Sequence, residues 1–443
     1  MSLRVVVLFQ RSPIPIREGA DRRVAELLNF LATHCKFVGL VTLDSGNSKT
    51  RQFCYDKGID YVNLAGKRIL YSHLTKVKRQ IDNISSKNNL PNPVNVLRLI
   101  YAFIKQRNSG EAAADDPFWS MCDDKKRLDL ASYVKKKRID VVITEYIWLS
   151  RCVEGLPESV IKLVDTHDVN HQRKKSLETA GIPVMEHGLV DYETEAAVLN
   201  KFDGILAIQE KERGVFQSMV APHIPVVCAP SGVDVELIRS LAPDTPSKAD
   251  QASQRIVKGI SGPRLLFLGG AHQGNVIALE TFLRDIWPAI LERLSGQKLT
   301  LIVAGNVYRS KRRSLRGVVF LGYVEDLEWL YDAVDMVVNP SFLGSGLKIK
   351  SMDALARGKL LITTEVGIDG IYPPVNDCCL VVHSPLEMAE SIAAIITGAI
   401  DTTSPLKRLD SYRAEFLTPT FQYRELLELL QQTSKSRLNK HLG

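Results

Sequence analysis

Long apolar runs are missing from this chain of 443 residues. None reaches the roughly 18 apolar residues that a membrane-spanning helix needs, and the short run at Val5–Phe9 sits where a first strand belongs. The expectation is a chain made and kept in the cytosol. Cysteine is sparse: seven residues, an odd number, run from Cys35 to Cys379 with no Cys-x-x-Cys spacing. That excludes a disulfide framework and a thiolate zinc site as organising features, so the cysteines read as reduced core thiols. Neither sign of charge dominates, with 57 basic against 50 acidic residues and a net charge of +7. Aromatic residues make up only 7% and do not interleave with the basic clusters, which argues against nucleic acid as a partner.

What is present is 45% hydrophobic content in a chain too long for one ordinary core, so two domains are expected. Short, nearly unbroken Val, Leu and Ile runs alternate with helical patterns at Arg4–Gln10, Lys36–Leu43, Asp140–Thr144, Ile161–Asp165, Asp203–Ile208 and Pro225–Ala229. That order predicts an α/β domain whose parallel sheet is covered on both faces. Residues 242–263 turn to Pro, Asp, Ser, Lys and Gly and read as a linker. A second set of strands starts at Arg264, giving domains at 1–241 and 264–410 and a closing helical region at 411–443. Residues 66–138 are hard to read. They carry the basic clusters Lys67–Arg68, Lys76–Arg79, Lys125–Arg127 and Lys135–Arg138, which suit an anionic membrane surface as well as plain solvent.

The most informative stretch is Asn339-Pro-Ser-Phe-Leu-Gly-Ser-Gly-Leu-Lys-Ile-Lys-Ser-Met-Asp-Ala-Leu-Ala-Arg-Gly358. It follows a buried strand pattern and reads as strand, loop, helix. Gly344 and Gly346 allow a ligand close to the backbone, and the helix near Lys348 or Ile349 points unpaired N–H groups into the loop. A structural first turn favours Asp or Glu; this one carries Lys348 and Lys350, which suits a bound phosphate. Asp353, one turn on, can accept hydrogen bonds from a sugar hydroxyl. A second glycine loop, Gly269-Gly270 to Asn275, follows the strand Leu265–Leu268. In the first half, Arg11–Ala20 is a Pro-rich loop ending near Gly19. Polar residues crowd the end of the strand Ile161–Asp165 as Thr166-His-Asp-Val-Asn-His171, where such a sheet places its chemistry. An imidazole at His167 can hold or move a proton near neutral pH, and Arg173 can pair with Asp168 or meet an anion. The same histidines permit a metal reading, which needs further ligands such as His187. Phe118 and Trp119 offer rings to an acceptor or to the core.

The segment Gly344-Ser-Gly-Leu-Lys-Ile-Lys-x-x-Asp-Ala-Leu-Ala-x-Gly358, with Leu-Ile-Thr-Thr-x-x-Gly-x-x-Gly370 after it, resembles the donor-binding signature of retaining glycosyltransferases of family 4. The resemblance implies the GT-B fold, two Rossmann-like domains facing each other across a cleft, with a final helix crossing back onto the first. It implies a retaining hexosyltransferase that uses a nucleotide-sugar donor and a glycan or lipid-linked acceptor, with no cofactor and no metal. The commoner family form carries two glutamates eight positions apart; Asp353 matches the second, and Ser345 stands where the first would be. The chain resembles the variant with Lys350 three residues before the acid. By the same resemblance His167, within Asp165-Thr-His-Asp-Val169, points at the donor sugar beside Asp168. Gly19, Gly270, Asn275, Gly344, Ser345, Gly346, Leu347 and Lys348 approach the donor, and the turn at Tyr323 and Val324 reads its base. The loop after Leu268 lacks the family's usual Arg and Lys, so Lys350 inherits the grip on the diphosphate. A GT-B nucleotide-sugar epimerase and a binding protein without catalysis are the alternatives.

Overall fold

The computed structural model describes residues 1–65, 118, 121–179, 189–242, 245–271, 273–307, 315–342, 348–373 and 375–442. Two sheets organise them. The first has seven strands in the order β3-β2-β1-β4-β5-β6-β7: β1 (Arg4–Phe9), β2 (Phe37–Thr42), β3 (Asp60–Asn63), β4 (Val141–Glu145), β5 (Ile161–Asp165), β6 (Gly204–Ala207) and β7 (Val226–Cys228). β1 pairs in parallel with β2 and β4, β2 with β3, and β4 with β5. Val5 to Phe9 are wholly buried, as the continuous apolar run requires of a central strand covered on both faces.

The second sheet has six strands in the order β10-β9-β8-β11-β12-β13, every pair parallel: β8 (Arg264–Leu268), β9 (Thr300–Ala304), β10 (Val318–Gly322), β11 (Met336–Asn339), β12 (Leu360–Thr364) and β13 (Leu380–Val382). Its side chains alternate between two cores. Leu266, Ile302, Val337 and Leu361 enter one; Leu265, Phe267, Leu301, Val303, Met336, Val338 and Ile362 enter the other. Two apolar faces need two layers of helix, so both halves are Rossmann-like and doubly wound, as expected.

The chain divides into two compact units. One holds Met1–Pro15, Leu31–Ile205 and Met219–Pro225; the other holds Ile16–Phe30, Leu206–Ser218 and Val226–Gly443. The helices used below are α1 (Gly19–His34), α2 (Asn170–Thr179), α3 (Tyr192–Leu199), α4 (Lys248–Lys258), α5 (Gln273–Thr281), α6 (Ile349–Ala356) and α7 (Arg424–Leu442). α1 belongs to the second unit up to Phe30.

Three features depart from the sequence reading or refine it. The polar stretch 242–263 contains α4, capped by Ser247, whose inward residues Asp250, Ser253 and Val257 repeat at helical spacing but are mostly polar and so leave no apolar signal. Cys122 and Cys152 form a disulfide with Cα atoms 5.5 Å apart, a correction to the reading of all seven cysteines as reduced thiols. Their separation of 30 residues carries no local signature. Finally, Glu425 at the start of α7 accepts hydrogen bonds from the Cys228 amide of β7 and from Arg213, both at 2.9 Å. No helix among the described residues is long and apolar enough to cross a membrane.

Candidate functional site

Open parallel sheets bind ligands outside the carboxyl ends of the strands where the strand order reverses. In the second sheet that point lies between β8 and β11. The turn after β8 is Gly269-Gly270. It is pressed by Gly305, whose φ of +93° favours glycine and where a Cβ would sit 2.2 Å from the Gly269 carbonyl oxygen. Gly270 has open space beside it, and its carbonyl accepts from Asn275 Nδ2 at 3.2 Å. Asn275, in the first turn of α5, turns its Oδ1 to Lys350 Nζ at 2.5 Å. Lys350 therefore reaches across the reversal from α6, with its ammonium 5.5 Å from the centre of the Phe267 ring.

Burial and, secondarily, the charge of Lys348 lower the Lys350 pKa to about 8. Such a group gains charge and stability when an anion arrives. Lys348 is the N-cap of α6 with no side-chain cap bond, and the first turn holds no acid. The usual anionic or hydroxyl cap is thus replaced by two cations, the arrangement a bound phosphate favours. Behind it, Asn339 Nδ2 donates to Ser351 Oγ at 2.8 Å, and Ser351 Oγ donates to the Gly367 carbonyl at 2.6 Å. These buried bonds pin α6 between β11 and the turn after β12. Gly344, Ser345, Gly346 and Leu347 lie outside the described residues.

Asp353 faces inward and is 6% exposed. Its Oδ1 accepts from Arg22 of α1 and, at 2.8 Å, from Arg357. Arg357 in turn binds Glu328, its Nε 3.0 Å from Oε1, and lies over the Tyr331 ring at 4.5 Å. Burial opposes both guanidinium charges, but Asp353 with Glu26 for Arg22, and Asp353 with Glu328 for Arg357, leave both pKa values raised. Arg22 also lies 3.6 Å from Glu26, which burial pushes up to about 7 and which accepts from Ser231 Oγ and the Asp234 amide. Gly19, the first residue of α1, packs so closely on Ile349 that a Cβ there would meet its Cδ1 at 2.3 Å. Tyr323 is half exposed, its pKa raised by burial and by Glu325 and Asp250, while Val324 is buried beneath it. The amides of Glu325 and Asp326 donate to the buried Asp250 of α4 at 3.3 and 3.1 Å, so α4 holds the Tyr323 turn in shape.

In the first sheet the order reverses between β1 and β4. There the ends of β1, β4 and β5 bring together Gln10, Glu145, Tyr146, Trp148, Asp165 and His167. Glu145 and Asp165 have no solvent exposure. His167 Nε2 lies 2.6 Å from Glu145 Oε2 and 4.0 Å from Asp165 Oδ2. The Tyr146 ring stacks on His167 on one side and Trp148 on the other, each with centroids 3.9 Å apart, and Trp148 Nε1 donates to Gln10 Oε1 at 3.0 Å. Tyr146 adopts φ 73° and ψ 147°, a region nearly reserved for glycine, and His167 has φ 63°. Such backbone costs on the order of 1–3 kcal/mol per residue and clusters at working sites.

Asp168 does not join that group; its Oδ2 binds Arg173 Nη1 at 2.6 Å. His171 turns away as well, donating from Nδ1 to Glu195 of α3 at 2.7 Å, while Glu195 also accepts the Asn170 and His171 amides at the start of α2. The histidines that suggested a metal therefore part company. Among the described residues, the group whose ligand atoms could hold a cation is Glu145, Asp165 and His167, all within 4.8 Å of one another. His187 and Trp119 lie outside the described residues, and Phe118 is buried in the core. Sequence reasoning missed Glu145. Its signal was an acid closing an otherwise apolar strand, where an unpaired charge costs several kcal/mol and so requires a partner.

These two sheets, each with polar residues at its point of reversal, are matched by known proteins. Residues 262–398 match the family model of group 1 glycosyl transferases. A glycosyltransferase from Rickettsia africae superposes with a TM-score of 0.62 at 12% identity, covering 98% of this chain and 99% of its own. Anabaena HepE, solved in complex with UDP and glucose, does so with a TM-score of 0.58 at 11% identity, over 97% and 100% of the two chains. Sucrose-phosphate synthase from Thermosynechococcus elongatus gives 0.60 at 13% identity over 99% and 100%. The fold is that of the GT-B glycosyltransferases. An uncharacterised 44.6 kDa protein of the cps region of Klebsiella pneumoniae is 25% identical over 118 residues, which are 24% of this chain and 30% of that protein.

Proposed function

We propose that this chain is a retaining glycosyltransferase that moves a hexosyl group from a nucleoside-diphosphate sugar to an acceptor hydroxyl. The carrying observation is Lys350, a desolvated ammonium in the uncapped first turn of α6, within the segment that matches group 1 glycosyl transferases. Lys350 grips the diphosphate, aided by Lys348 and by the loop of Gly270 and Asn275. Gly19, Gly344, Ser345, Gly346 and Leu347 approach the donor, Tyr323 and Val324 meet the base, and Asp353 serves the ribose. The bond from the anomeric carbon to the diphosphate oxygen breaks with its electron pair leaving on the diphosphate. The acceptor oxygen attacks the same face and its proton passes to the departing diphosphate. Fixed positive charge beside that oxygen lowers the barrier. His167 orients the transferred sugar, while Asp168 is paired with Arg173 outside the Glu145–His167 group. No metal is needed for these steps. The resemblance of Gly344–Gly358 to family 4 supports retention, and the UDP complex of HepE supports a uridine donor. The cps assignment of the Klebsiella relative supports a cell-surface polysaccharide or its lipid-linked precursor as acceptor, assembled in the cytoplasm at the inner face of the membrane.

The test is an assay of nucleotide release from UDP-, GDP-, ADP- and dTDP-sugars, with and without a lipid-linked glycan extract. Release that depends on the extract, from one donor class, is expected. Conversion of a donor without release would point to an epimerase, and binding without either to a carrier.

A pH dependence follows from the free Lys350 pKa of about 8. A bound diphosphate raises that value, so binding above about pH 8 takes up a proton. Affinity for a nucleoside diphosphate is therefore expected to fall as pH rises from 7 to 10, approaching tenfold per unit. Calorimetric titration across that range checks it, and Lys350→Arg should flatten the profile.

A further inference from the structure

A carboxylate buried at the end of a strand, with an imidazole against it, sets which ring nitrogen is left for other work. Glu145 has no solvent exposure, and its Oε2 lies 2.6 Å from His167 Nε2. An ionised carboxylate only accepts, so the proton of that contact sits on Nε2. Among the described residues Nδ1 of His167 makes no hydrogen bond. The ring plane is held independently by stacking against Tyr146, itself braced by Trp148 and Gln10. Asp165, 4.0 Å from the same Nε2, adds negative charge on the same side of the ring. Two strained backbone positions, Tyr146 and His167, are maintained to bring these groups together.

We infer that Glu145 is a positioning residue for His167: its carboxylate holds Nε2–H and so presents Nδ1 to the sugar. The inference rests on the proposed role of His167 in transfer. It differs from a cation site built on the same three side chains, in which Nε2 would carry a metal in place of a proton.

The first measurement needs no activity. In protein labelled with 15N-histidine, with His167 assigned from a His167→Gln spectrum, the His167 ring should show a protonated Nε2 bonded to a carboxylate. Glu145→Gln should shift that resonance and mix the tautomers, and Glu145→Asp should recover part of the original pattern. An unchanged His167 signal in Glu145→Gln overturns the inference.

The second measurement is kinetic. Glu145→Gln should lower kcat about 10–100-fold, by analogy with the loss of a carboxylate that orients a metal-bound histidine, with donor KM within twofold. The double variant Glu145→Gln/His167→Ala should be no slower than His167→Ala, because both act through one group. Additive losses, or a requirement for divalent cation that chelation abolishes, overturn it. If His167→Ala transfers sugar at the normal rate, the role of His167 falls, and the tautomer measurement alone then decides whether Glu145 positions the ring.

Discussion

Lys350→Ala is expected to weaken nucleoside-diphosphate binding about 10–100-fold. A hydrogen bond to a charged group contributes roughly 1.5–3 kcal/mol, and Lys350 is the desolvated ammonium of the α6 turn. Its partner in the free protein, Asn275, is neutral, so nothing in the contact competes with an incoming anion for charge. Lys350→Arg restores a cation but not the compact reach to Asn275, and should recover part of the affinity. Binding of the bare nucleoside should change little in either variant, because the proposed function puts the base at the Tyr323 turn, away from Lys350. Calorimetry of the nucleoside, monophosphate and diphosphate against each variant checks the pattern, and equal diphosphate affinity in wild type and Lys350→Ala removes the phosphate assignment.

Asp353→Ala should lower the stability of the unliganded protein by about 3–5 kcal/mol, the usual cost of breaking a buried ion pair by removing one partner. The reason is arithmetic of charge. Arg22 and Arg357 both rest on Asp353 Oδ1, and the two guanidiniums repel each other once it is gone. Glu26 at 3.6 Å and Glu328 still face one arginine each but do not lie between them. For a unit of this size the loss corresponds to a fall in Tm on the order of 10 °C. Asp353→Asn keeps an acceptor and should lose less. A carboxylate present only to meet a ribose would leave the unliganded Tm unchanged, so the melting curve shows whether Asp353 also anchors the α1–α6 packing.

Which of these residues were legible in the sequence follows from how local their signals are. The parallel sheets could be read because each central strand is an unbroken apolar run, and the positions of His167 at a strand end and of Lys348 and Lys350 at a helix start because these are local features. Lys350 was assigned to an anion from its place in the first turn and from the resemblance of its segment to the family's donor loop, and the Asn275 contact adds a partner 75 residues away. The Arg22–Asp353 pair spans 331 residues, and no local pattern announces it. Arg22 sits in an ordinary helical stretch where a charged residue reads as solvated. α4 was hidden because two of its three inward residues, Asp250 and Ser253, are polar, and Asp250 serves the turn at Glu325 and Asp326. The disulfide was hidden for the same reason as the ion pair, since Cys122 and Cys152 meet only through folding. Glu145 was visible as an acid at a strand end, yet its meaning depends on His167 arriving from the neighbouring strand in register.

The most direct test is a crystal structure of the protein with a nucleoside diphosphate of the donor base selected by the release assay. The expected density puts the diphosphate within hydrogen-bond distance of Lys350 Nζ and of the first amides of α6, with the base beside Tyr323. A well-ordered diphosphate bound elsewhere, with Lys350 still turned to Asn275, would contradict it.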